Sequence, residues 1–291
     1  MPAATTHVEM AKQVYQRSSY LQTNIQDLQM FYLGSQGPDI LFFNKASILP
    51  GSTKKYGNLM HVEKIKEVIG YFDEASKNDP ILRSYFLGYL CHYSLDSIVH
   101  PLVYGVSRYV HLQGGPSESE IHVGAESSID IYILQNLHRD ITTYDVYKYL
   151  KISSCNVTKL ATFYKNMLSD IFSIQLTQSH LEQAIKDVAF FTKVLRPSKL
   201  KYKFFYSLEN LLLKGNHFIT AMMLNGDKDF TILNKEHKEY TLPWDESETI
   251  HASFDELYEQ AITKAIRIVE NRDDQDFINN FCGTTKHFKG E

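Results

Sequence analysis

Along most of the chain apolar residues recur at intervals of three and four, the pattern of helices that bury one face, and strictly alternating runs are few. Residues 61–75 place Val62, Ile65, Val68, Ile69 and Phe72 on one side, which predicts an amphipathic helix starting at His61. Residues 82–100 are apolar nearly all round and predict a buried helix, stopped by Pro101. A third helix is predicted over 121–137, with Val123, Ile131 and Leu134 among its apolar positions. Between the last two, about 20 residues containing Gly114, Gly115 and Pro116 read as a long connection that rims a site.

Further helices are predicted over 144–150, 157–172, 181–195, 204–224 and 254–271. Thr177, Gln178 and Ser179 are capping residues ahead of the helix at 181, and Pro197 follows its end. Residues 225–251, with Gly226, Pro243 and Trp244, are the least helical and predict a loop or a small hairpin. No repeat of fixed period and no low-complexity linker is present. The expectation is an all-α multi-helix bundle, with residues 1–150 as a core and 151–291 as a helical extension packed on it.

Composition narrows the class. A chain of 291 residues with 43% hydrophobic content can bury a substantial core. The start carries no basic segment leading into an apolar run, and nothing approaches 18 uninterrupted apolar residues, so the expectation is a cytoplasmic protein without a membrane span. Cys91, Cys155 and Cys282 are scattered and form no CxxC pair, so any metal must rely on nitrogen and oxygen ligands. The net charge of −4 and the absence of a basic run longer than the mixed stretch 199–203 argue against nonspecific nucleic-acid binding.

The chemistry concentrates in residues 88–101, GYLCHYSLDSIVHP, where His92, Asp96 and His100 recur every four positions. Each step of four advances about 40° around a helix, so the three side chains form one stripe about 12 Å long. A chargeable row on a buried helix is costly to desolvate unless coordinated or paired. Metal ligation is one solution; simple hydrogen bonding between successive turns on a half-exposed face is the other. His122 and Glu126 repeat the i to i+4 spacing on the following helix, as a two-ligand arm or as a surface ion pair. Asp39 follows the turn-forming stretch Gly34-Ser-Gln-Gly-Pro, either as a carboxylate delivered from a rigid loop or as an ordinary cap. His7 and His61 stand at predicted helix starts. Of six histidines between positions 7 and 122, only His111 stays outside this constellation, and imidazole with carboxylate suits zinc, while manganese, nickel and iron(II) also fit.

In this order, His7, the Asp39 of a GPD turn, His61, HxxxD (His92 and Asp96), His100 and HxxxE (His122 and Glu126), the first 130 or so residues resemble the zinc-dependent phospholipase C family. Its wider superfamily includes single-strand-specific zinc nucleases. The HYxLDxxxHP form of residues 92–101 and the start of the chain look more like the intracellular bacterial-type branch. The resemblance implies an all-helical fold of the phospholipase C type holding two or three zinc ions. One would be held by Asp39, His61, His92 and Asp96; a second by His100, His122 and Glu126; a third by His7 with Asp96. Secreted members complete that third site with a processed N-terminal amine. Here six residues precede His7, so its metal is expected to be the weakest.

The leading expectation is a phosphodiesterase in which a metal-activated hydroxide attacks a phosphoester, with Asp39 as general base or hydroxide orienter. The resemblance favours a phospholipid substrate. The alternatives are a single-strand nuclease, or a non-catalytic metal-stabilised helical protein whose C-terminal half binds a partner.

Overall fold

A computed structural model describes residues 4–44, 51–213, 216–224 and 228–288. Its organising element is a central helix, α6, Pro80–Leu112. Asp79 starts it by accepting from the amides of Ile81 and Leu82, and Pro80 takes the first-turn position where a missing N–H is harmless. At 33 residues it runs about 50 Å and is buried on most sides. The helix does not stop at Pro101, as the sequence pattern predicts, but continues to Leu112. Proline removes one internal hydrogen bond. Here Val99, Leu102, Val103 and Val106 are all buried in the core on both sides of it, and packing outweighs that loss. The connection that follows is therefore only five residues, Gln113 to Ser117, rather than about 20.

Around α6 pack α1 (Ala4–Arg17), α3 (Leu28–Gly34), α5 (Ile65–Ser76), α7 (Glu118–Asn136) and α13 (Phe254–Glu270). The short α2, Ser19–Asn24, links the first two. The approach of α3 to α6 requires glycine on both sides: a Cβ at Gly34 would lie 2.0 Å from the Tyr85 carbonyl oxygen, and one at Gly88 2.0 Å from that of Phe31. This backbone contact brings the turn after α3 onto the middle of α6. α13 begins with a capping box between Ser253 and Glu256 and buries Phe254, Ala261, Ile262, Ala265, Ile268 and Val269. The expected helix at residues 61–75 is two helices, α4 (Lys54–Val62) and α5, broken at Glu63 and Lys64, where Lys64 is left-handed at φ 56°. His61 therefore ends a helix instead of starting one. Its carbonyl accepts from the amide of Phe281, a contact made by the C-terminal tail.

Beyond residue 140 come α8 (Tyr147–Leu150), α9 (Ser154–Phe172), α10 (Gln178–Val194), α11 (Lys199–Leu212) and α12 (Phe218–Met222). Thr177 caps α10 by accepting from the His180 amide, in the place its sequence suggests. The helix expected over 204–224 starts earlier and is divided into α11 and α12, with residues 214–215 outside the described residues. The least helical segment contains an antiparallel hairpin, β1 (Tyr240–Leu242) with β2 (Asp245–Ile250), turning at Pro243 and Trp244; residues 225–227 lie outside the described residues. The fold is all-α apart from this hairpin, and no helix among the described residues is long and apolar enough to cross a membrane.

Candidate metal centre

Five elements deliver eight side chains to one place. The stripe on α6 presents His92, Asp96 and His100, which are 0%, 3% and 8% exposed. His122 and Glu126 come from α7, His7 from α1 and His61 from the end of α4. Asp39 comes from a single 3-10 turn, Gly37–Leu41. Burial of this stripe removes the reading of a half-exposed face held by hydrogen bonds alone.

The side chains form two adjoining groups. In the first, His7, Asp39, His92 and Asp96 each bring one ligand atom to within 4.8 Å of the others. His92 Nε2 is 3.0 Å from Asp96 Oδ2, His7 Nε2 is 3.3 Å from Asp96 Oδ1, and the two rings stack with centroids 4.3 Å apart. His61 adjoins this group, its Nε2 2.9 Å from Asp39 Oδ1. In the second, His100, His122 and Glu126 converge, both imidazole Nε2 atoms 3.4 Å from Glu126 Oε1. Asp96 Oδ1, 3.8 Å from His100 Nε2, lies between the groups. His7 thus lies within the first group rather than apart from it. Of the remaining described histidines none joins either group; His111, for example, holds the Pro116 carbonyl.

Backbone carbonyls orient three of the rings. Nδ1–H of His92 donates to Ser35 O at 3.1 Å, that of His61 to Gly57 O at 2.8 Å, and that of His100 to Phe281 O at 2.8 Å. A carbonyl only accepts, so in the neutral ring the hydrogen sits on Nδ1 and Nε2 keeps its lone pair facing the carboxylates, which is the form that ligates a metal. Gly37 leaves room for this arrangement: it has φ 53°, and a Cβ there would fall 2.1 Å from His92 Cδ2.

The polar atoms so aimed fit a metal better than they fit one another. His92 Nε2, Asp96 Oδ2 and Asp39 Oδ1 are buried and, despite the short separations, none makes a hydrogen bond among the described residues: with the ring hydrogens on Nδ1, each Nε2 and the carboxylate oxygen it faces are both acceptors. Leaving such an atom unsatisfied costs about 1–3 kcal/mol. A zinc ion takes nitrogen and oxygen ligands without needing donor–acceptor alignment between them.

Electrostatics favour ionised carboxylates. Burial alone pushes Asp96 up, but His100, His92 and His7 together outweigh it and hold its carboxyl well below the usual range. Burial lowers His100, yet Asp96, Glu126 and the Phe281 carbonyl carry it up to about 9. His92 and His122 are lowered, burial being the largest cause in each.

Sequence reasoning missed the supporting groups. Phe281 is the main one: besides its carbonyl, its ring lies 5.1 Å from that of His61 and 5.5 Å from that of His92. Tyr104, one turn beyond His100, sets its ring 4.7 Å from His122, with Phe288 and Trp244 packed behind it at 5.0 and 6.0 Å. The spacing of Tyr104 from His100 is a helical i to i+4 step and could have flagged it; nothing in the sequence near Phe281 could.

No curated protein and no solved structure matches the chain. Residues 6–177, more than half of it, match the profile of the family described as zinc dependent phospholipase C. This region carries all eight converging side chains, and the all-helical architecture agrees with it. The chain belongs to the zinc-dependent phospholipase C family.

Proposed function

We propose that the chain is a zinc-dependent phosphodiesterase that hydrolyses a phosphoester, with a phospholipid as the favoured substrate. The observation that carries this reading is the adjacency of two donor groups through Asp96 and His100, which offers two neighbouring positions for metal ions. We assign Asp39, His61, His92, Asp96 and His7 to the first position and His100, His122 and Glu126 to the second. Bound there, zinc would supply Lewis-acid stabilisation of phosphoryl oxygens and make water acidic enough to serve as a nucleophile near neutral pH. Asp39 Oδ1, buried and without a hydrogen bond among the described residues, is the atom we assign to accept the proton of the attacking water. Ser35, Gly57 and Phe281 hold the imidazoles in the ligating orientation throughout. The new bond is water oxygen to phosphorus; the bond broken is phosphorus to an ester oxygen, which leaves as the alcohol.

The aromatic wall of Tyr104, Trp244 and Phe288 beside His122 favours a second reading, a nuclease stacking a base there. The net charge of −4 weighs against it. The test is turnover of bis-p-nitrophenyl phosphate by zinc-loaded protein, followed by phosphatidylcholine in mixed micelles against single-stranded DNA. Turnover of the first and of the lipid is expected; DNA cleavage alone would select the nuclease, and inactivity on all three with zinc bound would overturn both.

A further inference from the structure

Helix α11 is built inside out. Of its 14 residues only Glu209 is buried. Leu200, Phe204 and Leu211 are 82%, 63% and 79% exposed. At 100° per residue these three fall within about 40° of one another, and Glu209 falls on the opposite side. Glu209 is the anchor: its carboxylate accepts from the amides of Ile219 and Thr220 and from Thr220 Oγ1 at the start of α12. The apolar stripe therefore points away from the protein, where an ordinary surface helix turns its polar face.

The stripe has company. Phe190 on α10 and Leu212 and Leu213 at the end of α11 are also exposed, which gathers most of the large exposed apolar side chains of the described residues into positions 190–213. An exposed apolar face such as that of Leu200, Phe204 and Leu211 marks an interaction site. Lys199 and Lys203 flank the stripe, and among the described residues no carboxylate lies within ion-pair distance of either, while Lys201 between them donates to the Val194 carbonyl at 3.0 Å. In a chain of net charge −4 this is a local excess of positive charge beside apolar surface. That combination complements one surface in particular, an anionic lipid interface, which takes apolar side chains between its headgroups and attracts lysine to its phosphates.

The position is apt. α12, to which Glu209 ties the helix, is fastened to α7 by His217 N donating to Glu120 Oε2 at 2.9 Å and by Ser127 Oγ donating to Ala221 O at 2.7 Å. Lys54 Nζ of α4 lies 5.6 Å from the ring centre of Phe218 in α12. The two helices so contacted carry His122 and His61. We propose that α11 docks the protein on an anionic bilayer surface through Leu200, Phe204 and Leu211, with Lys199 and Lys203 on the headgroups. That docking delivers lipid to the metal centre rests on the phosphodiesterase reading; the docking itself does not.

Flotation of the full chain with vesicles of phosphatidylcholine containing phosphatidylglycerol tests it. Binding is expected, weaker to pure phosphatidylcholine and weakened by salt. Leu200→Ser/Phe204→Ser/Leu211→Ser should reduce it about tenfold or more, and Lys199→Glu/Lys203→Glu by at least about fivefold per lysine, with circular dichroism unchanged. Three results would overturn the proposal: no vesicle binding by the parent protein, undiminished binding by the triple variant, or a dimer that the triple variant breaks and vesicles do not capture. Turnover of bis-p-nitrophenyl phosphate needs no vesicle and reports on the metal centre separately, so either reading can fail alone.

Discussion

The imidazole of His100 is held by the backbone carbonyl of Phe281, 181 positions later in the chain, through a 2.8 Å hydrogen bond from Nδ1. The same residue's amide closes the end of α4 by donating to His61 O, and its ring is fully buried against His61 and His92. One residue of the C-terminal tail thus touches members of both donor groups.

Replacing Phe281 with alanine keeps the carbonyl but empties the space that positions it. The expected result is a loss of about 3–5 kcal/mol in stability, as for other buried phenylalanines. Zinc affinity should fall by about 10–100-fold, the range for outer-sphere partners of metal ligands. Thermal unfolding and a competitive chelator titration measure the two; unchanged zinc affinity in a destabilised variant would reduce Phe281 to a packing residue.

Gly37 and Gly70 make a matched pair. A methyl group at Gly37 collides with His92 and sits on a left-handed backbone, whereas at Gly70, exposed within α5, it meets nothing within 4 Å. Gly37→Ala is expected to lower zinc binding and stability together, while Gly70→Ala raises stability by about 0.5–1 kcal/mol through helix propensity and leaves zinc unchanged. Normal zinc content in Gly37→Ala would mean that His92 can move without losing its role.

What could be read in advance follows from how locally each feature is caused. His92, Asp96 and His100 share a face because any helix places fourth neighbours together, and His122 with Glu126 repeats the rule, so the spacing alone exposes them. Asp39 is announced by the turn residues Gly37 and Pro38. The break between α4 and α5 is not announced, because the groups that close it, Phe281 N at His61 O and Lys64 Nζ at Ile171 O, come from distant parts of the chain. Continuation of α6 through Pro101 is likewise a tertiary outcome that overrides a local preference. A backbone carbonyl acting on a ligand leaves no residue-type signature, so Ser35, Gly57 and Phe281 become visible only in three dimensions.

Zinc stoichiometry separates the two donor groups. The intact protein is expected to hold more than one zinc ion, since the convergent side chains exceed what one tetrahedral ion can use. His122 is only half-buried, so His122→Ala should remain folded, lose the ion of the second group and lose phosphodiesterase activity. Because His7 stacks on His92 and contacts Asp96, His7→Ala should instead weaken the first. His237→Ala, on the exposed surface, should do neither. Inductively coupled plasma mass spectrometry on protein loaded with zinc and desalted counts the ions; a single ion in the parent would collapse the scheme to one site.

The last prediction concerns Asp130, buried beneath the first turn of α1, where its Oδ1 accepts from Thr6 N at 2.7 Å and Thr6 Oγ1 at 2.6 Å. Burial pushes its carboxyl up to about 7, more than the Thr6 and Thr5 hydrogen bonds pull it down. A carboxyl whose folded value is raised contributes stability that is fully present below its ordinary value near 4 and is lost as pH rises through about 7. Between about pH 5 and pH 8 the parent should therefore lose stability from this residue. Asp130→Asn, which keeps an acceptor oxygen toward Thr6 but cannot ionise, should lose less over the same interval. Urea unfolding of both proteins, metal-free, at the two ends of that interval reads the difference between them and cancels the other titrating groups. Parallel pH dependence in the two proteins would show that Asp130 is ionised throughout and that its contacts with α1 stabilise the charged form.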